Sequence, residues 1–186
     1  MKFELFYPVK PLFINQVFGN PNPIYNSLLI KGHNGIDYQA VHGQPVYATH
    51  DGTCYPEIDN SGGNGVVIRT DTEFEYKDGT AHFKTIYWHL EQSDAVVKTG
   101  QKVQAGELIG YADNTGTSTG DHLHFGLKPQ AWNETDWIWY NLEQTNGFLG
   151  AIDPTPYFNG FFAEDAKKVV GLYGQIINLL TSFIKK

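Results

Sequence analysis

The stretch Gly116-Thr-Ser-Thr-Gly-Asp-His-Leu-His-Phe-Gly-Leu127 decides how this chain is read. His122 and His124 flank one leucine, directly after a glycine-bearing turn and ahead of an alternating apolar run. On a β-strand, residues i and i+2 share a face. Both imidazoles therefore project together while Leu123 points the other way, into a core. Two imidazoles presented from one rigid strand could supply half of a metal site, if partners elsewhere in the chain supply the rest. Alone, His-x-His is a short pattern that strands without metal also carry.

The composition sets the frame. The 186 residues suit one domain with an appendage, and 41% hydrophobic against 18% charged residues describe a folded chain rather than a disordered one. Twenty glycines, nine prolines and 15% aromatics favour many short strands joined by tight turns. A formal charge of -7 argues against a nucleic-acid partner, which would need a basic face. Cys54 is the single cysteine, so neither an internal disulfide nor a cysteine zinc cluster can form. Its setting, Asp51-Gly-Thr-Cys-Tyr55, reads as a buried strand position rather than a nucleophile. Glu4 and Pro8 interrupt the start of the chain where a signal peptide needs an unbroken apolar run, and no segment has the ~18 apolar residues of a membrane span. The expectation is a chain with no export signal of its own.

Working outward from the histidine strand, residues 1 to 30 are punctuated by Pro8, Pro11 and Gly19-Asn-Pro-Asn-Pro23, which disfavours helix. Phe13, Val17 and Phe18 are expected to pack on the domain. In Lys31-Gly-His-Asn-Gly-Ile-Asp-Tyr38, Gly35 breaks any helix, leaving a loop that enters a strand with Ile36 inward and Asp37 opposite. Read alone, His33 and Asp37 are equally well a hydrogen-bonded pair. Strands are expected at 45–48, 52–58, 65–70, 73–76 and 81–89, the last two joined across Lys77-Asp-Gly-Thr80, and His89 closes its strand. Ser61-Gly-Gly-Asn-Gly65 reads as a turn, because no Gly-Lys-Ser/Thr follows and a strand comes next. The glycines of Val97 to Gly110 suit sharp corners in a curled sheet. Residues 131–140 concentrate three tryptophans, either a wall beside a cleft or a packed extension. From Ala163 to Lys186, apolar residues at steps of three and four predict an amphipathic helix, used for docking, self-association or contact with a membrane surface.

Taken together, His33-x-x-x-Asp37, Gly43-x-Pro-Val-Tyr-Ala48, Tyr87-Trp-His-Leu90, the Gly100 to Gly110 corner and Thr115-Gly116…His122-Leu-His-Phe125 resemble the M23 family, the lysostaphin/LytM-type zinc metallopeptidases. The resemblance covers about residues 17 to 129. It implies a mainly β fold, a curled antiparallel sheet flooring an open substrate groove. The expected organisation is a metallopeptidase domain over 1–160, with an aromatic-rich extension at 130–160 and a C-terminal α-helix over 161–186.

By position, the resemblance makes His33, Asp37 and His124 the ligands of one Zn2+, and His122 the general base. His89 then assists His122 or stabilises the oxyanion. Two neutral imidazoles and a carboxylate leave a fourth tetrahedral position open, which is the pattern of catalytic rather than structural zinc. The implied reaction is hydrolysis of peptidoglycan peptide crosslinks, at either a D-Ala-diamino-acid bond or a glycine bridge. The expected setting is the bacterial wall, reached as a phage lytic or virion protein or by another export machine.

Asn20, Asp121 and Gly126 depart from frequent family residues, and the link at 131–148 is longer than usual. Asp121 is either a tuner of His122 or an exposed turn carboxylate. One rival is a phosphate-carrier domain, which has no reason to keep Asp37 at ligand spacing. The other is a catalytically silent wall-binding module, in which ligands or base are usually lost. Here all five residues are present.

Overall fold

The computed structural model of the protein describes residues 1–92, 94–136 and 138–159. The helix expected at 161–186 lies outside the described residues. Eleven strands run in chain order: β1 (Ile14–Gln16), β2 (Ile36–Gln39), β3 (Pro45–Tyr47), β4 (Gly52–Asp59), β5 (Gly63–Arg69), β6 (Phe74–Tyr76), β7 (Gly79–Leu90), β8 (Lys102–Val103), β9 (Leu108–Tyr111), β10 (His122–Asn133) and β11 (Ile138–Asn141). Nine of them form one sheet in the order β1-β2-β10-β7-β5-β4-β8, with β11 added to β10 and β6 to β7, while β3 and β9 make a separate ribbon. Every strand pairing is antiparallel, as expected of a curled β domain.

The two long strands, β7 and β10, are the spine. They pair from His124↔Trp88 to Gln130↔His82, and the end of β10 that carries the histidines also pairs with β2, placing His124 opposite Asp37. One face of the spine is core. Phe83, Tyr87, Leu123, Phe125 and Leu127 are fully buried there beside Tyr38 of β2 and Ile68 of β5. Leu123 points inward between its two outward histidines, as the strand period requires. Cys54 is buried in the same core, and its burial pushes the thiol up to about 12, so it is an inert small hydrophobe.

The core is closed by segments far apart in sequence. Phe3 stacks on Phe83 with ring centroids 4.1 Å apart, Leu5 bridges to Phe158, and Tyr7 stacks on Phe158 at 4.6 Å. The sequence-based expectation chose the wrong N-terminal residues. Phe13 and Val17 are exposed, and Phe18 is half-buried against the Phe148 ring. Phe3, Leu5 and Val9 fill the core instead, because the chain returns at 153–159 to cover them. The proline-rich stretch does avoid α-helix, but Pro23–Leu28 closes into a 3-10 helix capped by the Asn22 side chain. At Gly100 and Gly106 the backbone has φ of 81° and 83°, the left-handed corners on either side of β8 that the glycines permit.

Replacing Leu123 with Ala would leave a void under the strand that carries both histidines. Denaturant unfolding should show a loss of about 2–5 kcal/mol. A loss within measurement error would mean that the strand is not anchored through this residue.

Candidate metal centre

The site is assembled from one loop and three strands. His33 comes from the loop before β2, Asp37 from β2, His122 and His124 from β10, and His89 from the end of β7. His33 Nε2, His124 Nδ1 and Asp37 Oδ1 converge, each of the three separations being 3.0 Å. A tetrahedral zinc with bonds of about 2.0–2.1 Å would set its donors about 3.3 Å apart, so this triangle is close to three corners of that figure. The donor chemistry fits as well. His33 Nδ1-H donates to the Val17 carbonyl at 3.2 Å, which fixes the tautomer and leaves Nε2 with its lone pair towards the triangle. Burial lowers the pKa of His124, so the ring is neutral at neutral pH and one of its nitrogens carries a lone pair. Burial tends to raise the carboxyl pKa of Asp37, but with no metal bound the adjoining ring nitrogens of His124 and His33 outweigh it and hold the group well below the usual carboxylate range. With a metal held there, the three groups would present two imidazole lone pairs and one anion.

Gly35 has a role that its reading as a helix breaker missed. A Cβ there would lie 2.7 Å from His124 Cε1, 2.8 Å from His124 Nε2 and 2.5 Å from the Phe125 carbonyl oxygen. The loop that delivers His33 and Asp37 therefore passes directly against the ring it must meet, and only glycine fits.

His122 Nε2 lies 3.7 Å from Asp37 Oδ1, at the edge of the triangle. Its Nδ1-H donates to the Gly120 carbonyl at 2.8 Å, with Ser118 Oγ at 3.2 Å, so Nε2 is the unprotonated nitrogen when the ring is neutral. Asp121 is exposed in the turn and is not what holds His122. The His89 ring lies 4.5 Å from that of His122 and donates Nδ1-H to the Thr115 carbonyl at 2.7 Å. Burial drives its pKa down to about 4, so the His89 ring is neutral with Nε2 as an acceptor.

Strict alternation would place His89 in the core, because Tyr87 is inward and Trp88 outward. A register shift makes His89 the extra residue between the Gly65↔Trp88 and Asn64↔Leu90 pairs, and its φ is 62°. This bulge re-aims the side chain to the open face, at a backbone cost of about 1–3 kcal/mol. Hydrogen bonds from His89 N to the Gly62 carbonyl and from Asp113 N to the His89 carbonyl hold it there.

Tyr25 is a further neighbour that sequence reading passed over. Its ring stacks 5.8 Å from that of His33, and its hydroxyl accepts from Gln16 Nε2 at 2.7 Å, which leaves the phenolic hydrogen free to donate. Burial and the Asp37 charge raise its pKa and keep it neutral. A second grouping of His42, Asp113 and Asp121 lies nearby at the surface, with His42 Nδ1 2.9 Å from Asp113 Oδ1.

The sequence model described as Peptidase family M23 matches residues 31–136, which span His33, Asp37, His89, His122 and His124. The chain belongs to peptidase family M23. Among its relatives, the peptidoglycan DD-endopeptidase ShyC of Vibrio cholerae is 36% identical over 119 residues, 62% of this chain and 25% of the relative. A zinc-containing peptidase from Vibrio cholerae superposes with a TM-score of 0.56 at 33% identity, covering 69% of this chain and 37% of that one. The catalytic domain of the antimicrobial peptidase lysostaphin from Staphylococcus simulans gives a TM-score of 0.51 at 25% identity, covering 83% and 91%. The chain spans only 18% to 25% of the length of the first curated M23 relatives it matches.

Gly35→Ala should lower zinc stoichiometry, measured by atomic emission after dialysis, while leaving the strand content of the circular-dichroism spectrum in place. Full zinc occupancy in that variant would show that the close approach to His124 is not required.

Proposed function

We propose that the protein is a zinc-dependent endopeptidase that hydrolyses peptide crosslinks of bacterial peptidoglycan, and so acts in the cell wall. The observation that carries this reading is the 3.0 Å triangle of His33 Nε2, His124 Nδ1 and Asp37 Oδ1, with the acceptor nitrogen of His122 at its edge. Kinship with ShyC supports the substrate class and favours the stem-peptide crosslink over a glycine bridge.

In this reading His33, Asp37 and His124 hold the metal. Bound there, zinc supplies a lowered water pKa and polarisation of the scissile carbonyl. His122 is the general base: Nδ1-H is committed to the Gly120 carbonyl, so the proton of the attacking water is taken at Nε2, and the same nitrogen returns it to the leaving amine. His89 stands beside it as a neutral ring with an acceptor Nε2, which suits relaying that proton. It does not suit donating to an oxyanion while neutral, because its one N–H is spent on the Thr115 carbonyl. Tyr25 is the better oxyanion donor, being a neutral phenol with its hydrogen uncommitted. The open sheet face lets an extended polymeric peptide lie along the strands. A silent wall-binding module has no use for a strained bulge that re-aims His89 towards His122.

His122→Ala is expected to keep its zinc and to lose about 10²–10⁴-fold in the release of soluble fragments from purified sacculi. Hydrolysis at the wild-type rate would remove His122 as the base. Asp37→Ala should instead lose zinc on dialysis, since one of three donors and the anionic charge are gone. Chelation of the wild-type protein should abolish hydrolysis and lower the melting temperature, both restored by added Zn2+. Activity that survives complete chelation would contradict the metal-dependent reading.

A further inference from the structure

The open face of the sheet carries a second feature, away from the metal centre. Counting from His124 along β10, the outward positions are Gly126, Lys128 and Gln130. The β7 partner of Lys128 is Lys84, and the β5 partner of Lys84 is Arg69. Three cations thus stand side by side across three adjacent strands, in register and on one face. The row lies four residues from the row of His124 and Trp88, about 13 Å along the strands.

Like charges directly opposite one another destabilise a sheet, and here two such pairs share one residue. Lys84 and Lys128 are half-buried. Burial and the neighbouring cations push both pKa values down, that of Lys128 to about 8, against only the partial relief of Glu57. In a chain of net charge -7 with 20 acidic residues, a compensating carboxylate would be easy to place. Among the described residues, the only one within ion-pair distance of the row is Glu57, with Oε1 3.5 Å from Lys84 Nζ.

Arg69 is fixed rather than solvated. Its guanidinium sits 5.0 Å from the Tyr55 ring centroid and 5.6 Å from that of Trp139, and its Nε donates to Gln130 Oε1 at 3.0 Å. These contacts leave its terminal NH2 groups oriented and without a carboxylate partner among the described residues. Beyond the row the same face opens into a depression of about 270 Å³ lined by His82, Trp132 and Trp139. A peptide strand lying along the open face would pass from the metal centre over Gly126 and Ile86 and reach this cationic row.

We infer that Arg69, Lys84 and Lys128 form a distal subsite that holds a carboxylate of the peptide substrate about 13 Å along the sheet from the metal centre. The ligand class is an acidic peptide, such as a stem peptide with free glutamyl or diamino-acid carboxylates. The inference rests on the peptidase reading for its substrate, but it is a statement about charge recognition and can be read without turnover.

The test compares two crosslinked stem-peptide dimers, one with free carboxylates and one with the same groups amidated. Both are titrated by calorimetry into zinc-loaded His122→Ala protein. The carboxylate form should bind about tenfold more tightly at low salt, and the preference should shrink as ionic strength rises. In Lys128→Met and Lys84→Met versions, chosen to keep the aliphatic stems, the preference should collapse towards unity, whereas Lys128→Arg should retain it. Matched melting temperatures verify folding. Equal affinity for the two dimers, binding of neither, or a preference untouched by both Met variants overturns the subsite. Hydrolysis of the amidated dimer by the wild-type protein reports separately on the peptidase reading.

Discussion

The antiparallel pairing of β2 with β10 is the constraint on which the site depends. It sets Asp37 directly opposite His124, and the two-residue period of the strand then fixes His122 on the same face. A slip of one residue would turn both imidazoles into the core and Leu123 into solvent. The buried row of Tyr38, Leu123, Phe125 and Leu127 forbids that slip, so the hydrophobic pattern of the core holds the polar geometry of the open face.

Around that pairing, three of the imidazoles are oriented by backbone carbonyls. Val17 fixes His33, Gly120 fixes His122 and Thr115 fixes His89. All three imidazoles donate Nδ1-H outward and turn Nε2 inward, which separates two jobs among similar residues. His33 meets Asp37 and His124 in a tight triangle, while the His122 and His89 rings stand together to one side of it. Glycine is essential at one place here, where the loop backbone at Gly35 presses on the His124 ring.

Much of this was legible in the sequence because it is local. The His-Leu-His alternation needs only the strand period, and Gly35 with the following alternation is enough to place Ile36 inward and Asp37 outward. The grouping of His33, Asp37 and His124 was legible through resemblance to the M23 family, since nothing local joins residue 33 to residue 124. What escaped depends on long-range events. The N-terminal residues that fill the core are chosen by the chain's return at Tyr157 and Phe158. His89 reaches the open face through a bulge that no composition signal marks. Tyr25 reaches His33 through a 3-10 turn. The cationic row exists only once β5, β7 and β10 are in register, because Arg69, Lys84 and Lys128 are unremarkable charges along the chain.

The central claim is that this constellation cuts a peptide crosslink of the bacterial wall. The most direct measurement is digestion of purified peptidoglycan of known crosslink chemistry by the zinc-loaded protein, with mass spectrometry of the new termini. The account predicts new D-alanyl carboxyl termini paired with freed diamino-acid amines, with glycan strands intact. New glycan reducing ends, or unchanged crosslinked dimers after exhaustive incubation, would contradict it.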